Sequence, residues 1–200
     1  MLLLVKVFGG CVVNFGKILQ QKRFKSCTSL GRSNYHPDCE QLINKQINLE
    51  LRAAYFYCSL QYYFDRDDVG LPGFSTFFKQ EARGEMAHAQ KLMQFQRKRG
   101  GDLKLLDIEA PIDKIWSHCK SIAESLKLEK TITESLEKIA ETADLNKDYY
   151  TNDFITSQFL PEQYKDIKFL ASLLARIGIA EGNAGVILID QELMGRKKPI

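Results

Sequence analysis

From about Pro37 onward, apolar residues recur at alternating three- and four-residue steps in long runs, separated by polar or glycine- and proline-bearing breaks. That is the period of an amphipathic helix, and strand-like alternation is almost absent, so the chain is expected to be all-α. The first helix is predicted over Pro37–Phe64, ending at the polar turn 65–68. The second begins around Gly70, Pro72 and Gly73 and reaches Arg99, where Gly100 and Gly101 stop it. A connection of about residues 102–117 follows, longer than a tight turn needs and suited to a crossover that makes the second and third helices parallel. The third helix is expected over about 118–144, the fourth over about 151–179, and a short apolar tail helix over about 184–194.

Each long helix carries an inward seam. In the first it is Ile43, Ile47, Glu50, Ala54 and Tyr57; in the second, Phe78, Glu81, Glu85, His88, Leu92 and Phe95. The third has Ile122, Leu126, Glu129, Leu136 and Ile139, and the fourth Gln163, Ile167, Leu170, Leu174 and Ile177. Polar residues interrupt every seam. Aligned on these stripes, Glu50, Glu85, His88, Glu129 and Gln163 all point into the bundle. Isolated buried charges cost several kcal/mol, so three inward carboxylates with one imidazole call for cations. Carboxylate-rich ligation without thiolate suits iron or manganese better than structural zinc.

Glu85 and His88 form Glu-x-x-His, a spacing that stacks two ligands on one helix face. Di-iron bundles take a Glu from each of two helices and Glu-x-x-His from the other two. Here the fourth helix offers Glu162-Gln163 with no following histidine, so the second metal position has fewer strong ligands. This asymmetry suits a centre that oxidises iron and passes it on. The competing reading leaves these side chains on a solvated face, with Tyr57 a core aromatic whose hydroxyl is satisfied locally.

Composition changes this picture mainly at the N-terminus. Two hundred residues fit one globular domain, taken as 34–200. Before Asp38 stand Lys6, Lys17, Lys22, Arg23, Lys25 and Arg32 with no acidic residue; without these six cations the net charge of +3 becomes −3. A basic, acid-free, Ser- and Thr-bearing segment over 1–33 has the composition of a mitochondrial transit peptide. A secretory signal or a disordered tail in a cytoplasmic protein are its rivals. Lys6 interrupts the opening apolar run, so no membrane span is expected. The five cysteines show neither CxxC pairing nor zinc-finger spacing, which gives no support to a disulfide framework.

Asn-Leu-Glu-Leu at 48–51, Tyr-Tyr-Phe-Asp-Arg-Asp-Asp at 62–68 and Glu85-x-x-His88-Ala-x-Lys-Leu-Met resemble animal ferritins of the heavy-chain type. Arg-Gly-Gly at 99–101, Leu-Glu-Lys at 128–130 and Glu-Gln at 162–163 extend the resemblance from Asn34 to Gly195. It implies a ferritin-like four-helix bundle with a long crossover and a fifth C-terminal helix. It also implies an iron-storage subunit that oxidises Fe(II) with dioxygen, the ferroxidase reaction. The family's centre then falls on Glu50, Tyr57, Glu85, His88, Glu129 and Gln163. Glu50 and His88 would hold the first iron, Glu85 would bridge, Glu129 would hold the second, and Gln163 would orient a water or oxygen species. Tyr57 would hydrogen-bond nearby. The partners implied are other ferritin subunits in a shell of twenty-four, homo- or hetero-oligomeric, with ferrous iron and dioxygen as substrates and no nucleic acid.

Several positions depart from the resemblance. Gly84, Ala87 and Gln90 stand where cavity-facing glutamates are usual, and the entry channel keeps Asp153 but has Thr156 in its second position. Pro161 predicts a kink two residues before Gln163. Two other functions remain open on the same bundle: a non-catalytic light-chain-like shell subunit and a di-iron oxygenase or catalase. The six-residue set argues against the first, and the missing fourth-helix histidine and the tail helix argue against the second.

Overall fold

The computed structural model describes residues 29–111, 116–180 and 182–196. The expected targeting segment lies outside the described residues up to position 28, as do 112–115 of the crossover. The described residues form α1 (Pro37–Phe64), α2 (Pro72–Lys98), α3 (His118–Leu145), α4 (Tyr149–Gln158), α5 (Leu160–Ile179) and α6 (Gly182–Gly195), with no strand among them. Helices α1, α2 and α3 and the pair α4–α5 make a four-helix bundle, and α6 packs on α2 as the short C-terminal helix.

Local chemistry sets the boundaries. His36 caps α1 by accepting the Asp38 N–H at its Nδ1, with Pro37 in the first turn, where the missing N–H costs nothing. Gly100, at φ +72°, lets the chain turn left-handed after α2. Ser117 caps α3, and Asp148 caps α4 by accepting the Thr151 N–H.

The end-to-end contacts fix the topology. Arg99, at the end of α2, pairs with Asp148 just past the end of α3, and Asn34, before α1, donates to the Lys147 carbonyl. At the opposite end Tyr63, late in α1, donates to the Trp116 carbonyl just before α3. Helices α2 and α3 therefore finish at the same end and run parallel, which the long connection makes possible.

The fourth bundle helix is not the single kinked rod expected over 151–179. It breaks at Phe159 (φ −125°, ψ −54°), and α5 starts afresh with Pro161 in its first turn. Proline has no N–H for the carbonyl four residues earlier and its ring crowds that turn, so the chain restarts the helix instead of bending it. Within α5 the inward face also differs from the expected seam at two positions. The buried stripe of α5 is Gln163, Asp166, Leu170, Leu173 and Ile177, whereas Ile167 and Leu174 are only half-buried.

Where α6 meets the bundle, α2 lacks a side-chain cap of its own. The buried Asp190 of α6 supplies one by accepting the Phe74 N–H at 2.9 Å. Gly73 makes this contact possible, since a Cβ there would lie 1.7 Å from the Asp190 carbonyl oxygen.

Candidate metal centre

The seams of α1, α2, α3 and α5 bring all six expected residues to the middle of the bundle. Glu50, Tyr57, Glu85, Glu129 and Gln163 are buried, and the His88 side chain is 12% exposed. Seven residues separate Glu50 from Tyr57, two turns on one face of α1, while Glu85 and His88 share a face of α2.

They form two adjoining groups. In the first, one ligand atom each from Glu50, Glu85 and His88 converges within 4.8 Å. His88 Nδ1 lies 3.2 Å from Glu85 Oε2. Gln46, outside the expected seam of α1, is fully buried and donates from Nε2 to Glu50 Oε1 at 2.7 Å. Among the described residues Glu50 Oε2 has no hydrogen-bond partner. In the second, the Tyr57 hydroxyl donates to Glu129 Oε1 at 2.5 Å and the Gln163 amide donates to Glu129 Oε2 at 3.2 Å. The Gln163 carbonyl oxygen is buried and has no partner among the described residues, an acceptor available for a water or a cation.

The electrostatics follow from this crowding. Burial and the facing Glu85 push the Glu50 carboxyl well above its ordinary range. Burial also raises the Tyr57 hydroxyl, reinforced by the charges of Glu129, Glu85 and Glu81, which makes it a donor and not a phenolate. For His88, burial opposes the cation, but hydrogen bonds to Glu162 and Glu85 outweigh it and lift the imidazole to about 11. Without a metal, protons hold these anions together. A divalent cation supplies the same neutralisation with more charge, and carboxylate oxygens with one imidazole are a donor set suited to ferrous iron.

Two neighbours were not anticipated as parts of the site. Glu162 Oε2 lies 3.3 Å from His88 Nε2, reaching across from the first turn of α5. Arg196, following α6, sits 3.6 Å from the buried Glu81 one turn before Glu85, with its guanidinium over the Phe169 ring. Sequence spacing carries no signal for either contact, since each joins residues more than seventy positions apart.

The remaining sequence candidates lie apart from this cluster. Asp153 and Thr156 are exposed on α4, and the Thr156 hydroxyl turns back to the Asn152 carbonyl. Ala87 and Gln90 are exposed and Gly84 half-buried on α2.

Comparison with known proteins agrees with this architecture. The Ferritin family, described as a ferritin-like domain, matches residues 40–179. Soma ferritin of Lymnaea stagnalis is 41% identical over 167 residues, covering 83% of this chain and 96% of that protein. The ferritin middle subunit of Aquarana catesbeiana is 40% identical over 164 residues, covering 80% of this chain and 93% of its own length. With a bundle of this topology, a buried carboxylate and histidine cluster, and relatives matched along nearly their whole lengths, the chain belongs to the ferritin family of iron-storage subunits.

Proposed function

We propose that this subunit is catalytic, a heavy-chain-type ferroxidase. The observation that carries the reading is the buried convergence of Glu50, Glu85 and His88 beside Glu129, Tyr57 and Gln163. Glu50 and His88 bind one ferrous ion, Glu85 bridges, and Glu129 takes the second with Gln163 beside it. Tyr57 and Gln163 keep Glu129 oriented by donating to one oxygen each. Each ferrous ion gives up one electron; dioxygen accepts the pair with two protons and leaves as hydrogen peroxide. The ferric ions then hydrolyse to mineral. Ferritins work as multi-subunit shells, and this subunit is proposed to build one of twenty-four copies, alone or with a second subunit type. The basic, acid-free leader supports a mitochondrial destination, which fractionation of cells expressing the full chain would test.

Glu85→Lys tests the catalytic reading. It places a cation where the bridging anion stood, in a position buried inside the subunit, so the outer face is unchanged. The variant should assemble, by size-exclusion chromatography, yet lose rapid ferrous oxidation. Parental rates in an assembled variant would misplace the site.

A further inference from the structure

The His88 ring is held from three sides. Its Nδ1 faces Glu85 at 3.2 Å, its Nε2 faces Glu162 at 3.3 Å, and the Phe159 ring meets it edge-on with centroids 5.6 Å apart. Two of these three contacts come from the break between α4 and α5. Phe159 is the break itself, and Glu162 lies in the turn that restarts beside Pro161. The interruption in the fourth bundle helix thus builds the wall that faces the histidine.

Only a neutral imidazole with its lone pair toward the cluster can bind a metal, and two tautomers compete for that role. With the proton on Nδ1, the ring donates to Glu85 and closes the metal position. With the proton on Nε2, it needs an acceptor on its far side, and Nδ1 is free for the metal. A carboxylate behind a ligating histidine favours the second form and makes the ring a stronger donor.

We propose that Glu162 is a positioning residue for the metal centre, accepting the His88 Nε2–H and so selecting the tautomer that presents Nδ1 to iron. This rests on the catalytic reading above, since it requires His88 to be a ligand. Glu162 acts through the ring and needs no contact with the metal. Its side chain is 40% exposed, so its replacement leaves the packing of the bundle in place.

The test is a double-mutant cycle on the assembled, iron-free protein, titrated with Co(II) and followed by calorimetry and by the visible absorption of the bound ion. Glu162→Ala should weaken the His88-dependent site by about 10- to 100-fold. Glu162→Gln keeps an acceptor oxygen but loses the charge, and should fall between Ala and the parent. Both variants remove the same favourable charge from the first turn of α5, so their difference isolates the acceptor. In a His88→Ala background, Glu162→Ala should change nothing further. An equal loss in both backgrounds would make Glu162 a ligand in its own right or a remote charge, and would overturn the proposal. So would unchanged Co(II) binding in Glu162→Ala while His88→Ala weakens it. If His88→Ala itself leaves Co(II) binding and its spectrum unaltered, the metal-centre reading fails and this proposal with it.

Discussion

At the scale of single residues, the site is a set of anions that the fold has buried together, and protons stand in for the cation. Glu50 is held well above the ordinary carboxylate range by burial and by Glu85, and His88 is raised to about 11 by Glu162 and Glu85 against the opposing effect of burial. Divalent metal must displace protons from these groups, so the bound state carries fewer protons than the free one. Affinity therefore rises with pH over roughly pH 6 to pH 8, and binding releases protons. Calorimetry in two buffers of different ionisation enthalpy should show that release. A binding enthalpy independent of buffer, with affinity flat in pH, would contradict the assignment. The inward placement of Glu50, Glu85, His88 and Glu129 was legible because each interrupts an apolar stripe in phase, and that of Gln163 because it opens the stripe of the fourth helix; Tyr57 stood out only through the resemblance. Glu162 was visible as a residue but not as a participant. Its partner is on α2, and a glutamate after a proline in a first helical turn is common for local reasons alone.

At the scale of elements, helix periodicity gave the first three helices to within a residue or two, since each keeps one phase along its length. The fourth is broken at Phe159, and within α5 the inward positions are Asp166 and Leu173 rather than Ile167 and Leu174, because an aspartate does not read as an inward residue. The docking of α6 was equally hidden, because the Asp190 cap on α2 spans 116 residues. It has a measurable consequence. Asp190→Ala removes the accepting oxygen from Phe74 N–H and should cost about 1 to 2 kcal/mol. Gly73→Ala should cost more, since its Cβ would meet backbone and not a movable side-chain end. Thermal midpoints of the assembled variants, compared at one protein concentration, check this order. A Gly73→Ala protein as stable as the parent would mean that α6 docks elsewhere.

At the scale of the whole molecule, the proposed function divides oxidation and mineral growth between different surfaces. The proposed oxidising centre is buried, while Gly84, half-buried, and Ala87 and Gln90, exposed, carry no carboxylate on α2. Without oxygen ligands or negative charge there, ferric clusters gather less readily. If Asp153 and Thr156 line an entry channel, as the resemblance implies, Thr156 in place of a second acid should weaken the field that draws cations in. A homopolymer should therefore load iron in two phases, a prompt oxidation followed by slow core growth. Glutamates introduced at 84, 87 and 90 should speed only the second, and an unchanged second phase would assign nucleation to other residues. The first phase has a more direct test. Assembled, iron-free protein is loaded anaerobically with Fe(II), the bound iron is counted, and dioxygen is then admitted while ferrous loss is followed. Two ferrous ions per subunit are expected, oxidised far faster than in protein-free buffer, with the fast step absent in Glu85→Lys. Oxidation no faster than in buffer, or a fast step that survives in Glu85→Lys, would contradict the catalytic reading.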